Sequence, residues 1–163
     1  MIFIFLYLNL NVYTIFYLLL MNNNKHIILF GSTGMLGTYS LKILQKKFTV
    51  TEISRRDYDI MENNYDKLFN ILKGYQSSII INCAGAIPQR YNSNDFNYFV
   101  INSLFPKLLE KICNELKFKF IHISTNCVFN YPDGKCNENQ IPNETIPYGL
   151  SKYLGEPDSA TVI

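Results

Sequence analysis

Tyr148 and Lys152 are separated by three residues, and upstream Thr125 sits in Ser124-Thr125-Asn126-Cys127-Val128-Phe129, at the end of an apolar run. On a helix, the Tyr-x-x-x-Lys spacing puts both side chains one turn apart on one face. A tyrosine phenol, with a pKa of about 10, is a poor acid or base at neutral pH. A nearby ammonium, with a positively charged nicotinamide ring in an oxidised complex, stabilises the phenolate and lowers that pKa. The phenol can then pass a proton to a carbonyl oxygen, while the Thr125 hydroxyl holds the same oxygen in place. Tyr-x-x-x-Lys also recurs by chance, so the reading rests on the elements that position it.

The first of these is Phe30-Gly31-Ser32-Thr33-Gly34-Met35-Leu36-Gly37. The apolar run His26-Ile27-Ile28-Leu29-Phe30 before it reads as a buried strand. Thr38 to Lys46 after it, with Leu41 and Leu44 on one face, reads as a helix. Glycines at every third position between strand and helix suit a pyrophosphate. Gly31 permits the tight turn, Gly34 lets the backbone approach the ligand, and Gly37 lets helix and sheet pack closely. The plain alternative is an ordinary strand-to-helix turn.

Phe48 to Ser54 predicts a second strand, which runs into Arg55-Arg56. In dinucleotide-binding folds an acidic residue here bonds the adenosine ribose hydroxyls, whereas an arginine accommodates a 2′-phosphate. The two arginines favour NADPH over NADH. NAD stays open, with Glu52 inside the strand as the weaker acidic candidate, and a solvated arginine pair is the bland alternative. Asp57-Tyr58-Asp59-Ile60 reads as a polar turn.

Tyr65 to Gly74 carries apolar residues at helical spacing and ends on a glycine stop. Ser78 to Ile81 reads as a strand buried on both faces. It leads into Asn82-Cys83-Ala84-Gly85-Ala86, small residues against which a cofactor can lie or the next helix can pack. Asp95 to Lys117 predicts one long helix, kinked or split by Pro106. Phe118 to Ser124 predicts another buried strand, residues 130–147 a polar loop, and the segment after Pro147 a helix carrying Tyr148 and Lys152. This alternation predicts an α/β fold with a parallel, doubly wound, Rossmann-type sheet.

A chain of 163 residues has room for one domain with a sizeable core. Its net charge of +2, without a lysine-arginine run, argues against nucleic acid as a partner. Cys83, Cys113, Cys127 and Cys136 lack Cys-x-x-Cys spacing and a histidine at ligand spacing. They read as buried free thiols in a reducing compartment, the cytoplasm, and no metal site is expected. His26 and His122 fall in strand-like runs and read as core or strand-end residues.

Residues 1–21 stand apart from the rest. Met1 to Leu20 is almost wholly apolar, just long enough to span a membrane, and has no basic n-region or small-residue cleavage site. Three readings fit: a leader ahead of a natural start at Met21, a membrane anchor, or a peripheral helix. The globular reading covers residues 22–163, a dinucleotide-binding domain.

From Lys25 onward the chain resembles the extended short-chain dehydrogenase/reductase superfamily, and within it the dTDP-4-dehydrorhamnose reductase group. The residues that carry the resemblance are Gly31 to Gly37, Ile81-Asn82-Cys83-Ala84-Gly85, Asn102, Ser124 to Phe129, and Tyr148-Gly149-Leu150-Ser151-Lys152-Tyr153-Leu154-Gly155-Glu156. Their order and spacing match as well as their letters. The resemblance implies Tyr148 as proton donor, Lys152 as its activator and ribose ligand, and Thr125 as third catalytic residue. It also implies cofactor contacts at Gly34, Met35, Leu36, Arg55, Asp59, Ile60, Gly85, Ala86 and Ile87.

Two departures qualify it. Asn126 stands where the group usually has aspartate, and Ala160-Thr161-Val162-Ile163 reads as the opening of a further strand, where the sequence given stops. Members of the group continue with most of a sugar-binding lobe, so the expected protein is an NADPH-dependent reductase of a 4-keto nucleotide sugar, with turnover in question because that lobe is absent. An epimerase or dehydratase of the same superfamily, a non-catalytic dinucleotide-binding subunit, and a small membrane protein are the competing readings. A homodimer stays open.

Overall fold

The computed structural model describes residues 26–75, 78–90, 96–131, 134, 136–137 and 139–163. The apolar leader at 1–21, Asp95 and the Pro132-Asp133 turn lie outside the described residues.

Five strands form one parallel sheet: β1 (His26–Phe30), β2 (Thr49–Ile53), β3 (Ile79–Asn82), β4 (Lys119–His122) and β5 (Thr161–Val162), in the order β2-β1-β3-β4-β5. Between them run the helices α1 (Met35–Leu44), α2 (Tyr65–Leu72), α3 (Phe105–Leu116) and α4 (Pro147–Leu154). Parallel strands need such crossovers, and helices on both faces bury the sheet.

Alternation along the strands sorts the core into two layers. Ile28, Phe30, Ile80 and Phe120 pack with Leu68 and Leu72 of α2 and Leu109 and Ile112 of α3. Ile27, Leu29, Ile79, Ile81 and Ile121 face Leu44 of α1. The doubly wound sheet expected from the apolar runs is therefore present: β1 has the expected limits, β3 is shifted one residue onward, and β2, β4 and β5 lie one or two residues inside theirs.

The register is level at the carboxyl edge. Phe30 pairs with both Ile53 and Asn82, and Asn82 pairs with His122. The segments starting at Gly31, Ser54, Cys83 and Ile123 thus emerge side by side. The chain reverses its direction of travel across the sheet between β1 and β3, and doubly wound sheets take ligands at such a switch point.

The long helix expected over 95–117 is not continuous α-helix. A single turn at Asn97–Phe99 passes into a π-helical stretch, Val100–Leu104, before α3 begins, with Pro106 in the first turn of α3. Proline has no N–H to give the carbonyl four residues back, so the hydrogen-bond pattern changes ahead of it instead of the helix breaking. A second correction concerns the thiols. Cys113 is buried and Cys83 partly so, but Cys127 and Cys136 lie exposed in the polar segments after β4.

Candidate active site

The turn after β1 is built so that only glycine fits at two positions. Gly31 has φ +74°, and a Cβ there would lie 2.4 Å from the Ala84 backbone nitrogen. A Cβ at Gly37 would lie 2.0 Å from the Gly31 carbonyl oxygen. The third glycine therefore packs α1 against the loop itself, not against the sheet as the spacing suggested. Gly34 is less crowded: a Cβ there would meet the Gly31 carbonyl oxygen at 3.3 Å, a tight contact but not an overlap. Gly34 also caps α1 without a side-chain hydrogen bond, leaving the first amides of the helix free to meet an anion.

Around this loop lies a cleft of about 510 Å³. It brings together Gly31, Gly34, Arg55, Asp59, Ile60 and Gly85 from the expected set, together with Arg56. Arg55 Nε sits 3.5 Å from Asp59 Oδ2. Asp59 in turn accepts from the Met61 amide at 3.0 Å, capping a short 3₁₀ turn at Ile60–Glu62. Asp57 is occupied elsewhere: its carboxylate accepts from the Ser54 amide and hydroxyl, which holds its pKa below the usual carboxylate value.

Other expected cofactor residues do not line the cleft. The Met35 side chain is 77% exposed, and Leu36 and Gly37 also lie outside the lining, so these three can contribute only through the start of α1. Ile87 is exposed and Ala86 is fully buried, both away from the cleft wall. In their place the structure adds Tyr58, Arg90 and Ile101. Tyr58 is buried in the core, so the supposed polar turn at 57–60 is half apolar wall. The pattern of large residues around Tyr58 was a usable signal, whereas Arg90 and Ile101 reach the cleft only through the path of the chain.

Beyond the cleft, the ends of β3 and β4 carry the second part of the site. The Asn82 side-chain oxygen accepts from the Ala84 amide at 3.0 Å, so its amide nitrogen faces His122 Nδ1 at 3.2 Å. That arrangement makes Nδ1 the acceptor and puts the ring proton on Nε2. His122 is fully buried, and burial together with nearby Lys152 lowers its pKa to about 2, so the ring is neutral.

Thr125 follows β4 in extended conformation and caps the short turn Asn126–Val128, its hydroxyl accepting from the Cys127 amide at 3.2 Å. Pro147 opens α4, and Glu144 supports the entry by accepting from the Thr145 and Ile146 amides. The helix lies so close to the Thr125 turn that a Cβ at Gly149 would be 2.1 Å from the Cys127 carbonyl oxygen. Tyr148 is thereby placed beside Thr125; burial raises the phenol pKa, and the nearby Thr125 side chain opposes that shift. The Tyr98 ring meets the Tyr148 ring edge-on at 6.0 Å between centroids.

Lys152 lies one turn further along α4, as its spacing requires. Its ammonium donates to the Ile123 carbonyl at 2.5 Å, and burial lowers its pKa to about 8 while Glu156 opposes the shift. Glu156 also accepts from the Ser124 hydroxyl. Lys152 is not among the groups acting on Tyr148, whose pKa is raised and not lowered. The ammonium is turned toward the end of β4, where a carbonyl compensates its desolvation. The lowered phenol pKa expected from the sequence belongs to the complex with an oxidised nicotinamide ring; in the chain by itself burial sets the direction.

Asn102 ties the two parts together. From the π-helical stretch its side chain accepts from the Ala86 amide at 2.8 Å, donates to the Ala86 carbonyl at 3.0 Å, and faces the Ser151 hydroxyl at 3.1 Å. Ser151 donates to the Tyr148 carbonyl, and Ser103 donates to the Ser151 carbonyl at 2.7 Å. Among the described residues no cluster of histidine, cysteine, aspartate or glutamate could hold a metal ion, and no helix is long and apolar enough to cross a membrane.

Comparison with known proteins agrees with this geometry. Residues 25–159 match the family model described as the RmlD substrate binding domain. A curated relative, a probable low-salt glycan biosynthesis reductase of Haloferax volcanii, is 26% identical over 137 residues, 77% of this chain and 46% of the relative. Among solved structures, a dTDP-4-dehydrorhamnose reductase from Bacillus anthracis in complex with NADP superposes with a TM-score of 0.75 at 22% identity, over 85% of this chain and 52% of that one. An orthologue from Clostridium acetobutylicum gives 0.67 at 27% identity, over 84% and 51%. The chain spans about half the length of the relatives it matches.

Proposed function

The chain belongs to the RmlD substrate binding domain family, and from that premise we propose that it binds NADPH and serves the reduction of a 4-keto nucleotide sugar. One observation carries the reading: the Tyr148 phenol, beside Thr125, and the Lys152 ammonium stand at the same carboxyl edge of the sheet as the Gly31 loop. The unit proposed to do this is residues 22–163.

The residues present fit a dinucleotide. The start of α1, with no side-chain cap, offers amides to a pyrophosphate, and Gly34 lines the cleft beside it without a side chain. Arg55 and Arg56 supply cations suited to a 2′-phosphate at the end of β2. The complex of the Bacillus anthracis reductase with NADP supports the choice of cofactor. When bound, NADPH supplies the hydride.

The chain's own residues have the other tasks. Burial keeps the Tyr148 phenol protonated at neutral pH, the state a proton donor to a carbonyl oxygen requires. The Thr125 hydroxyl, beside the phenol, can hold the same substrate oxygen. Lys152, partly relieved of its proton affinity by burial, is available to exchange its bond to Ile123 for a ribose hydroxyl.

The test is direct. Purified chain should quench or shift NADPH fluorescence on titration and bind NADPH more tightly than NADH. With a dTDP- or UDP-linked 4-keto sugar it should oxidise NADPH, and Tyr148→Phe should abolish oxidation while retaining binding. Absence of binding to both dinucleotides would end the proposal. Binding without oxidation would leave the non-catalytic subunit reading in its place.

A further inference from the structure

The cleft has a third arginine whose partner the site does not yet explain. Arg90 lines it from the segment that follows β3, whereas Arg55 and Arg56 line it from the end of β2. Because the strand order is β2-β1-β3, these two segments flank the Gly31 loop on opposite sides. Asn102 grips both backbone polar groups of Ala86, and the Arg90 amide closes a turn onto the Ile87 carbonyl at 3.0 Å. The base of the segment is thus fixed, and Arg90 is delivered to the cleft wall by a short, bonded turn.

Arg55 is paired with Asp59, the single acidic residue among the described residues of the lining. Among the described residues no carboxylate pairs with Arg90. A guanidinium fork facing a cleft floored by open helix amides is suited to a phosphate oxygen pair. The 2′-phosphate expected at Arg55 and Arg56 lies toward β2, so the phosphates available to the β3 side are those of the pyrophosphate bridge.

The geometry points to Arg90 as a clamp on the pyrophosphate of the bound dinucleotide, opposite the start of α1. This inference rests on the proposed NADPH binding and adds a residue to it. It requires Arg90 to raise affinity for every dinucleotide and to leave the choice between NADPH and NADH to Arg55 and Arg56.

The test is titration of the full chain and of Arg90→Gln, Arg90→Lys and Arg55→Gln with NADPH, NADH and ADP-ribose, alongside thermal melts of each protein without ligand. Arg90→Gln should weaken all three ligands by about tenfold or more and by similar factors. Arg90→Lys should recover part of the loss, and Arg55→Gln should change mainly the NADPH to NADH ratio. Arg90 is exposed, so the ligand-free melting temperature should be unchanged. Unaltered affinities in Arg90→Gln would overturn the clamp while leaving dinucleotide binding intact, and so would a loss confined to NADPH. A wild-type chain that binds none of the three would overturn both.

Discussion

Asn102 holds Ala86 by both of its backbone polar groups, accepting from its amide at 2.8 Å and donating to its carbonyl at 3.0 Å. Both residues are almost completely buried. The bond pair joins the segment after β3 to the helical stretch ahead of α3, and through Ser151 to the helix carrying Tyr148 and Lys152. Asn102→Ala would leave a buried amide and a buried carbonyl without partners. The expected cost is about 3 kcal/mol, read as a lower urea midpoint at unchanged m-value. A variant as stable as the wild type would show that the clamp is dispensable.

The three loop glycines should separate on substitution. Gly37→Ala drives a Cβ into the Gly31 carbonyl, backbone against backbone, and should cost about 3 kcal/mol or more. Gly34→Ala meets that same oxygen at 3.3 Å and should cost less than about 1 kcal/mol. Gly34 lines the cleft, however, so NADPH affinity should fall by more than the small loss of stability would explain. Equal losses of stability at the two positions would contradict the geometry.

Lys152 makes stability rise on the alkaline side. Its pKa is lowered to about 8 from 10.5, so between those values the unfolded chain binds a proton that the folded chain does not. Folding therefore gains stability as pH rises from about 8 toward 10.5, by about 3 kcal/mol in full. Cys83 and Cys113, pushed up to about 11 and about 12 by burial, act in the opposite sense above pH 9. The difference between wild type and Lys152→Met isolates the lysine. Urea unfolding of both at pH 7, 8, 9 and 10 should show the wild type gaining on the variant across the series.

His122 acts at the acid end. Its pKa of about 2 lies far below the ordinary 6.5, so the unfolded state takes up a proton that the folded state refuses. Stability should fall as pH drops below 6.5, by about 3 kcal/mol at pH 4. His122→Gln, which cannot titrate, should lose less over that range than the wild type. Parallel loss in both proteins would mean that the ring is not held neutral.

The level of detail legible in the sequence follows the range of the interactions. Periodicity and turn residues are local, so His26–Phe30, the glycine loop, the alternation of strands with helices and the shared helix of Tyr148 and Lys152 could all be read from neighbours in the chain. The cluster of Gly31, Arg55 and Gly85 was also recoverable, because each follows a strand and parallel strands end along one edge, whereas Asp59 came only from the family resemblance.

What the tertiary structure alone decided depends on contacts between distant segments. The π-helical stretch before Pro106 exists beside partners such as Ala86 and Ser151, which no local pattern reveals. The same holds for Gly149, whose need is set by the Cys127 carbonyl. The spacing of Tyr148 and Lys152 implies an ammonium that, with an oxidised nicotinamide ring, lowers the phenol pKa. In the chain by itself burial raises it, because desolvation acts on each group separately and Lys152 meets a carbonyl at the end of β4. Sequence could place the reacting groups on one helix, but the direction of their proton affinities is a property of the walls that the fold builds around them.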